Sequence, residues 1–401
     1  MNTSPSSLSA NRVAVSARRV LLPLVIIAFV VAPAMAQTRY GARILSLAAG
    51  ATGGSVAAIG GGQAAGSNSF SATITSGNGF TVNTTVSDAA LWTDANTVID
   101  LLPFDQQLAL AAALGIQVTP NSAVTGVAAG VQSGFYTPIQ AGIVRTHAAL
   151  WAGTPGSLVD LDPGSAFAGS AALGACVGQQ AGYVGILQFQ AIRRGVFREV
   201  FVGNHAAIWS GASGTMIDLH NSGSNSYALA CDSGVQVGYF DNGQGQTQAC
   251  LWHGTRNTQV NLHTGPWYST RALAVSGNVQ VGIGTLQGAT KTDPMISHAI
   301  MWNGTSGSLR DLHPAGFSES FGMGAGDGKQ VGYGTNTNGI ETIYDALVWS
   351  GSAASVINLN QFLPTGYSDA RATSIDAAGN IAGIALGPNG WQPVIWSPIT
   401  P

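Results

Sequence analysis

The side chains in this sequence that could do acid–base or metal chemistry recur at one fixed place, four residues before a tryptophan. They are Asp88, His147, His205, Gln248, His298, Asp345 and Gln392. Three histidines in equivalent places suggest metal ligands, but equivalent positions of a repeat lie far apart, whereas a zinc ion needs its ligands within ~2 Å. We therefore interpret these residues as repeated hydrogen-bonding groups and predict no metal site.

A second polar set follows the same tryptophans. Asp100, Asp160, Asp218, Asn261, Asp311 and Asn358 each precede a leucine, and His220, His263 and His313 each follow one. Short acids and amides at such places commonly cap turns. The sequence has no carboxylate pair outside the repeat, no nucleophile elbow and no phosphate-binding loop. It therefore predicts no catalytic residues and no cofactor, and we expect a protein that is not an enzyme.

Five residues outside the repeat are the candidate ligand-binding residues. They are Arg193, Arg194 and Arg198 in the longest connection, and Trp267 and Tyr268 in another. Aromatic rings and arginines on one face suit a glycan or a protein partner, because binding residues are often carried by variable loops on a rigid scaffold. The alternative interpretation is solvated charge and local packing.

The elements that carry these side chains form a repeat of seven units. The tryptophans are Trp92, Trp151, Trp209, Trp252, Trp302, Trp349 and Trp396, separated by 59, 58, 43, 50, 47 and 47 residues. Upstream of five of them a glutamine stands two residues before a glycine, as in Gln236 and Gly238. The tryptophans predict a large buried aromatic at one place in every unit, as the packing of wedge-shaped blades requires.

Each unit contains four short strand candidates separated by turn residues, with the period-two alternation of half-buried strands. In the fifth unit they are 271–275, 278–284, 297–303 and 307–312. Four antiparallel strands repeating every 40 to 50 residues are typical of a propeller blade, so the sequence predicts an all-β, seven-bladed β-propeller. A parallel β-helix is the structural alternative.

The last unit lacks a fourth strand, because the chain ends at Pro401 soon after Trp396. Residues 43–47 resemble the fourth strand at 308–312, so we predict that residues 41–47 complete the last blade and close the ring, which removes exposed sheet edges. The predicted domain is a single propeller over 37–401. Its repeats are at about 48–102, 103–161, 162–219, 220–262, 263–312, 313–359 and 360–401.

The N-terminus has the three parts of a secretory signal peptide: Arg12, Arg18 and Arg19, an apolar run at 20–31, and Ala34-Met35-Ala36. We predict a signal peptide over 1–36 and a mature protein that is periplasmic or secreted, without a membrane span and monomeric. An uncleaved anchor and a twin-arginine signal are the alternatives. A net charge of −3 over 401 residues offers no basic field for nucleic acid.

Three cysteines, Cys176, Cys231 and Cys250, leave at least one thiol unpaired. A disulfide framework is therefore excluded, and a single bridge of any pairing stays open. None of the three has a partner at the two-residue spacing of structural zinc sites.

Several segments resemble the HAF repeat proteins of bacterial envelopes and extracellular space. The matches include Val237-Gly238-Tyr239, Val331-Gly332-Tyr333, 147–151, 205–209 and 298–302, and they extend over nearly all of the mature chain. The phenylalanine of that pattern is replaced by Ala149, Ala207 or Ile300, and the glycine after Asp-Leu by Asp162, His220 or His313. The resemblance implies export and a propeller-like architecture, and it supplies no catalytic residues.

Two functional hypotheses follow. The first is an exported, noncatalytic repeat protein that binds or scaffolds in the bacterial envelope or extracellular space, with an unknown glycan or protein partner. The alternative is a propeller enzyme that acts on glycans, a hydrolase or lyase, with its site at the mouth of the central channel. Acidic or histidine side chains converging at that mouth would favour the enzyme.

Overall fold

The chain folds into seven antiparallel sheets of four strands each. In a computed structural model, the residues described are 38–75, 81–114, 119–140, 145–193, 196–288, 294–337 and 341–399. Arg39–Pro401 make one compact unit. That unit is a seven-bladed β-propeller, so the predicted fold is confirmed. The predicted signal peptide lies outside the described residues.

The strands follow one another along the chain, four to a blade. The first element of the described residues is β1 (Arg39–Ile44). The first three blades are β2 (Gly53–Gly60), β3 (Gln63–Thr75), β4 (Thr81–Trp92), β5 (Val98–Asp100); β6 (Ser122–Ala128), β7 (Val131–Tyr136), β8 (His147–Trp151), β9 (Val159–Asp160); and β10 (Phe167–Cys176), β11 (Gln179–Arg193), β12 (Val196–Trp209), β13 (Ile217–Asp218). The helix α1 (Phe104–Leu114) lies between the first and second blades.

The fourth to seventh blades repeat the pattern. They are β14 (Ser226–Asp232), β15 (Val235–Asp241), β16 (Thr247–Trp252), β17 (Val260–Asn261); β18 (Ser269–Ser276), β19 (Val279–Leu286), β20 (Ile296–Asn303), β21 (Arg310–Asp311); β22 (Glu319–Gly326), β23 (Lys329–Thr337), β24 (Thr342–Trp349), β25 (Ile357–Asn358); and β26 (Ala370–Ile375), β27 (Ile381–Gly387), β28 (Gly390–Ile399). Short 3₁₀ turns occur at Pro155–Ser157, Ser213–Thr215, Arg256–Thr258, Ser306–Ser308, Ala353–Ser355 and Leu359–Phe362.

The N-terminal strand completes the last blade. β1 pairs antiparallel with β28, from Arg39 opposite Ile399 to Ile44 opposite Val394. The strand lies at 39–44 rather than at the predicted 41–47. Leu45 continues the contact, since its N–H donates to the carbonyl of Pro393 at 2.9 Å. The ring is thus closed by both ends of the chain.

The glycine of each repeat is fixed by a close backbone contact. It pairs with the residue of the first strand that precedes a β-bulge. A Cβ on Gly332 would lie 1.8 Å from the carbonyl oxygen of Phe321, and the equivalent glycines have the same contact. No side chain fits there, which explains this part of the repeat.

The repeated glutamine holds a tight turn. In five blades its Oε1 accepts the N–H of the glycine two residues after the tryptophan; Gln236 and Gly254 are 2.8 Å apart. Gly254 has a φ of +79°, which favours glycine. The seven tryptophans of the repeat are each at most 1% exposed. The predicted core role of these rings is therefore confirmed.

The bulge residues of the seven inner strands line the central channel, and the part of the channel between them and the turns joining first and second strands has a volume of about 400 Å³. They are Ala57, Thr125, Leu173, Leu229, Leu273, Met323 and Thr373. We call the face that carries the turns between first and second strands the lower face. The opposite face, with the connections between second and third strands and between blades, is the upper face.

One disulfide joins neighbouring blades. Cys176 at the end of β10 is bonded to Cys231 of β14, and Cys250 is a buried free thiol. Among the described residues, no helix has the length and apolar character needed to cross a membrane.

Candidate functional site at the upper mouth of the channel

The upper ends of the inner strands surround the channel mouth, and one residue of each strand stands just before the partner of the repeat glycine. We call these seven residues the mouth row. In order of the blades they are Ser55, Ala123, Ala171, Tyr227, Arg271, Phe321 and Arg371. The first three blades contribute small side chains and the last four contribute large aromatic or cationic ones. The mouth is therefore asymmetric.

Further rings extend the mouth row in the third and fourth blades. Tyr227 faces Tyr239 across the strand pair with ring centroids 5.0 Å apart, and Tyr183 of the third blade meets Tyr227 edge-on at 5.2 Å. All three rings are partly exposed. Flat, partly exposed rings with polar hydroxyls can pack against the apolar face of a sugar and also donate hydrogen bonds to it.

Arg371 lies in a box of aromatic rings. Its guanidinium carbon is 3.8 Å from the ring centre of Tyr344, 5.1 Å from that of Trp391 and 5.6 Å from that of Tyr333. Its Nε is buried and has no hydrogen-bond partner among the described residues. Cation–π contacts hold the guanidinium in place without neutralising its charge.

Arg271 forms one wall of a cleft on the upper face. Its guanidinium carbon is 4.8 Å from the ring centre of Tyr239, and its Nε donates to the hydroxyl of Thr247 at 3.3 Å. The cleft has a volume of about 440 Å³ and is also lined by Tyr268 and Phe321. A cation, aromatic rings and hydroxyls thus converge on one space of ligand size.

Three tyrosines at the mouth have a pKa raised above the ordinary value for a phenol. Burial raises the pKa of Tyr183 and of Tyr239. Burial also raises the pKa of Tyr333, the charge of Arg371 opposes this shift, and the charge of Glu319 adds to it. These phenols can therefore donate protons or hydrogen bonds to a bound ligand.

The channel below the mouth has a mixed lining. Leu229 and Met323 are among its apolar residues, and toward the lower face it is lined by Asp232, Asp327 and Asp376. Thr125 and Thr373 use their hydroxyls internally, as donors to the carbonyls of Ala172 and Val56 at 2.7 and 2.8 Å. The acids of the channel also have partners within the protein, since Asp232 accepts the N–H of Gly277 and Asp376 accepts that of Ala378.

The repeated histidines bind acids within their own blades. His147, His205 and His298 contact Asp160, Asp218 and Asp311 through Nδ1 at 2.9, 2.9 and 2.8 Å. Gln248 and Asn261 form the corresponding pair in the fourth blade at 2.8 Å. Within the described part of the chain, no group of three or more histidine, cysteine or acidic residues could hold a metal ion.

The first blade departs from this pairing, because both of its residues are acids. Asp88 is only 2% exposed, and its Oδ2 accepts the N–H of Phe104 at the start of α1 at 2.9 Å. Burial and the neighbouring carboxyl of Asp100 raise the pKa of Asp88 to about 7. A cleft of about 460 Å³ beside the pair is lined by Asp100, Phe104 and Asp105.

The predicted ligand-binding residues do not form one cluster. Arg193 and Arg198 are exposed on the hairpin of β11 and β12, and Arg194 lies outside the described residues. Trp267 is 8% exposed and packs edge-on against His298, with centroids 5.7 Å apart. Tyr268 lines the Arg271 cleft, so it is the member of this pair that a ligand can reach.

The mouth row and the acid pair were missed from the sequence. A signal existed for both. The residue before each glycine partner is small in three blades and large in four, and only the first blade has aspartate at both polar positions of the repeat. Comparing the units position by position would have found both departures.

Comparisons with known proteins show no family for this chain. No family model matches. No curated protein matches. The resemblance to HAF repeat proteins therefore stays a prediction. Among solved structures, the chain is similar to the β-propeller domain of the Trilobed protease from Pyrococcus furiosus, with 8% identity, a TM-score of 0.44, and coverage of 70% of this chain and 83% of that one.

Two further similar structures are enzymes. A puromycin hydrolase mutant has 12% identity and a TM-score of 0.48, covering 88% of this chain and 55% of that one. A Trypanosoma rangeli sialidase in complex with sialic acid has 8% identity and a TM-score of 0.34, covering 90% and 54%. This chain spans about half the length of both. At such identities the likeness shows the fold alone.

The expectation that this chain is not an enzyme is wrong. The similar propellers include a hydrolase and a sialidase, so the propeller fold gives no reason to exclude catalysis. The expectation depended on finding no acid pair outside the repeat. Asp88 and Asp100 occupy repeat positions and still bring two carboxyls together beside a cleft.

Proposed function

We propose that this chain is an exported enzyme that acts on glycans, a hydrolase or lyase, with its site at the upper mouth of the channel. The observation that carries the proposal is the asymmetric mouth row, which gathers Tyr227, Arg271, Phe321 and Arg371 on one side of the mouth. Partly exposed rings give sugar platforms, and the arginines and hydroxyls give orientation.

Tyr333 and Glu319 are the groups of the mouth that we assign to proton transfer. Glu319 pairs with Thr335 while Phe321 pairs with Tyr333, so Glu319 and Tyr333 are diagonal neighbours on one face of the sheet, typically ~7–8 Å apart. The protonated phenol of Tyr333 donates its proton to the leaving glycosidic oxygen. Glu319 takes a proton from water in a hydrolase, or from a sugar carbon in a lyase.

The acid pair of the first blade is a second candidate for these groups. Asp88 has its pKa raised to about 7, so near neutral pH one carboxyl of the pair can donate a proton while the other accepts one. The adjacent cleft of about 460 Å³ has room for a sugar ring beside Phe70 and Phe104.

Export rests on the sequence of residues 1–36 and on the propeller-like resemblance to HAF repeat proteins. The bridge between Cys176 and Cys231 supports it, because disulfides persist mainly in oxidising compartments.

A glycan panel tests the proposal. The protein is incubated with neutral and acidic polysaccharides, and the release of reducing ends and of unsaturated sugar is measured. We expect turnover of at least one glycan and a loss of ~100-fold or more in Tyr333→Phe and in Glu319→Gln. Tyr136→Phe and Glu199→Gln, which lie in the second and third blades rather than in the sheet of Tyr333 and Glu319, serve as matched controls and should retain full turnover.

The variants also separate the two candidate places. Loss of turnover in Asp88→Asn and Asp100→Asn, with full activity in Tyr333→Phe, would move the chemistry to the first blade. Glycan binding without turnover of any polysaccharide would contradict the enzymatic proposal.

A further inference from the structure

Two arginines of the mouth row occupy equivalent positions two blades apart. Arg271 pairs with Ile283 in the fifth blade, and Arg371 pairs with Ile384 in the seventh. Phe321 occupies the same position in the sixth blade between them. The order across three consecutive blades is therefore cation, aromatic ring, cation.

Neither arginine is neutralised within the described part of the chain. The ion pairs found there join other residues, such as Arg145 with Asp162. The acids near the mouth bind neutral donors instead: Glu319 accepts the N–H of Ser297 at 3.1 Å, and Asp369 accepts the N–H of Tyr344 at 2.9 Å. Two positive charges are thus held at the mouth without a carboxylate partner.

Aromatic rings surround both guanidinium groups. Arg371 contacts three rings, and Arg271 contacts the ring of Tyr239. A cation–π contact neutralises no charge, and the N–H fork of an arginine matches the two oxygens of a carboxylate or sulfate. Fixing the fork before binding reduces the entropy lost when the ligand binds.

The cleft at Arg271 adds the features of a sugar subsite. Besides the guanidinium it presents the hydroxyl-bearing residues Ser269, Thr285 and Ser297, and the ring of Phe321. Its volume of about 440 Å³ is that of a small-ligand pocket.

We propose that the substrate of this mouth is a polyanionic glycan, in which Arg271 and Arg371 each bind an anionic group on a different sugar and Phe321 packs against the sugar between them. The inference rests on the proposed function, since it names the substrate class of the same site. Carboxylates of uronic acids and sulfate esters share the chemistry that an arginine fork recognises.

Equilibrium binding by calorimetry tests it. The ligands are an oligogalacturonate, its methyl ester as a neutral match, and a sulfated neutral oligosaccharide. We expect at least one anionic ligand to bind ~100-fold more tightly than the methyl ester, which follows from two charge-assisted contacts. The carboxylated and sulfated arms identify which anion is recognised.

Variants locate the contacts. Arg271→Gln and Arg371→Gln should each weaken binding of the anionic ligand ~10-fold and leave binding of the methyl ester unchanged. Arg310→Gln, on the outer strand of the same blade as Arg271, is the matched control and should bind like the unaltered protein. Arg371→Lys, which keeps the charge and loses the fork, gives the same information if Arg371→Gln fails to fold.

Equal affinity for the anionic ligands and the methyl ester would overturn this inference. Turnover of neutral glycans only would also overturn it and leave the proposed function intact. Tight anionic binding without turnover would support the inference and contradict the enzymatic proposal.

Discussion

His205 stacks flat on His220, with ring centroids 3.9 Å apart and planes 10° from parallel. Nδ1 of His220 is 2.8 Å from the hydroxyl oxygen of Ser226, which also accepts the N–H of Ala206 at 2.9 Å. Burial lowers the pKa of His220, which favours its neutral form in this contact. The serine links two blades and is not a free nucleophile. His298, His313 and Ser320 repeat the arrangement.

This arrangement predicts a loss of stability in acid. Burial lowers the pKa of His220 and of His313, and the charge of the stacked histidine lowers it further. A group with a lowered folded pKa contributes stability that is present above its unfolded pKa of ~6.5 and is lost as the pH falls through the folded pKa. Urea unfolding between pH 8 and 5 should show the midpoint falling toward pH 5.

The double variant His220→Gln and His313→Gln is the test of cause. It should unfold with a weaker dependence on pH over the same range, because two of the titrating groups are gone. An unchanged dependence would assign the effect to other groups.

Glycine 332 gives a sharp test of the bulge contact. Gly332→Ala places a Cβ 1.8 Å from the carbonyl oxygen of Phe321, so we expect a destabilisation of ~3 kcal/mol or more, measured by urea unfolding. Gly307→Ala is the control, since a Cβ at Gly307 meets nothing within 4 Å and no positive φ is needed there. Equal stabilities of the two variants would mean that the inner strand can shift to accommodate a side chain.

We predict that replacing one carboxyl of the acid pair by an amide makes the protein more stable. Burial raises the pKa of Asp88 to about 7, so the protonated carboxyl stabilises the folded protein at low pH. That contribution to the free energy of unfolding is lost as the pH rises from the pKa of the unfolded chain toward 7. In Asp88→Asn the amide can donate to Asp100 and its oxygen can accept from Phe104. We expect a gain on the order of 1–3 kcal/mol at pH 8 and little change at pH 4.

Asp345→Asn is the matched variant for that experiment. Asp345 holds the equivalent position in a blade whose second residue is the neutral Asn358. It should change the free energy of unfolding little at pH 8. If Asp88→Asn is less stable than the unaltered protein at pH 8, the acid pair is better tolerated than its burial implies.

Closure of the ring predicts that residues 38–47 cannot be removed without large cost. Tyr40 and Leu45 are 3% and 1% exposed, and the indole N–H of Trp92 donates to the carbonyl of Ser46 at 2.7 Å. Deleting 38–47 exposes an edge of β28 and two core clusters, so we expect a loss of ~5 kcal/mol or more by thermal or urea unfolding. Leu45→Ala alone should cost ~2–5 kcal/mol. A deleted chain that melts like the full one would refute closure.

Much of the fold was predictable because the repeated residues act through the backbone. Gln236 fixes a turn and Gly238 admits a bulge, so both recur wherever a blade recurs. The fourth strand of the fifth blade is shorter than the predicted 307–312, because Ser306–Ser308 form a 3₁₀ turn and leave only Arg310–Asp311 paired. The helix α1 was missed, although its run of alanine, leucine and glutamine favours a helix.

The site was less predictable, because its contacts join distant parts of the sequence. Arg371 meets Tyr333, Tyr344 and Trp391 only after two blades have folded side by side. Sequence separation gives no sign of this. The length of the connection led to the prediction that the arginines of the β11–β12 hairpin bind a ligand. Arg271 and Arg371, which contact aromatic rings, lie within regular strands.

The pairing of Arg39 with Ile399 also places these two residues on one face of the propeller. The third strand of a blade runs toward the lower face, so Ile399 and its partner Arg39 both lie there. Arg39 and Ile399 are therefore on the side opposite the mouth row. Attachment of the protein to a surface through either residue would leave the arginines and rings of the mouth row facing away from that surface, toward approaching polymer.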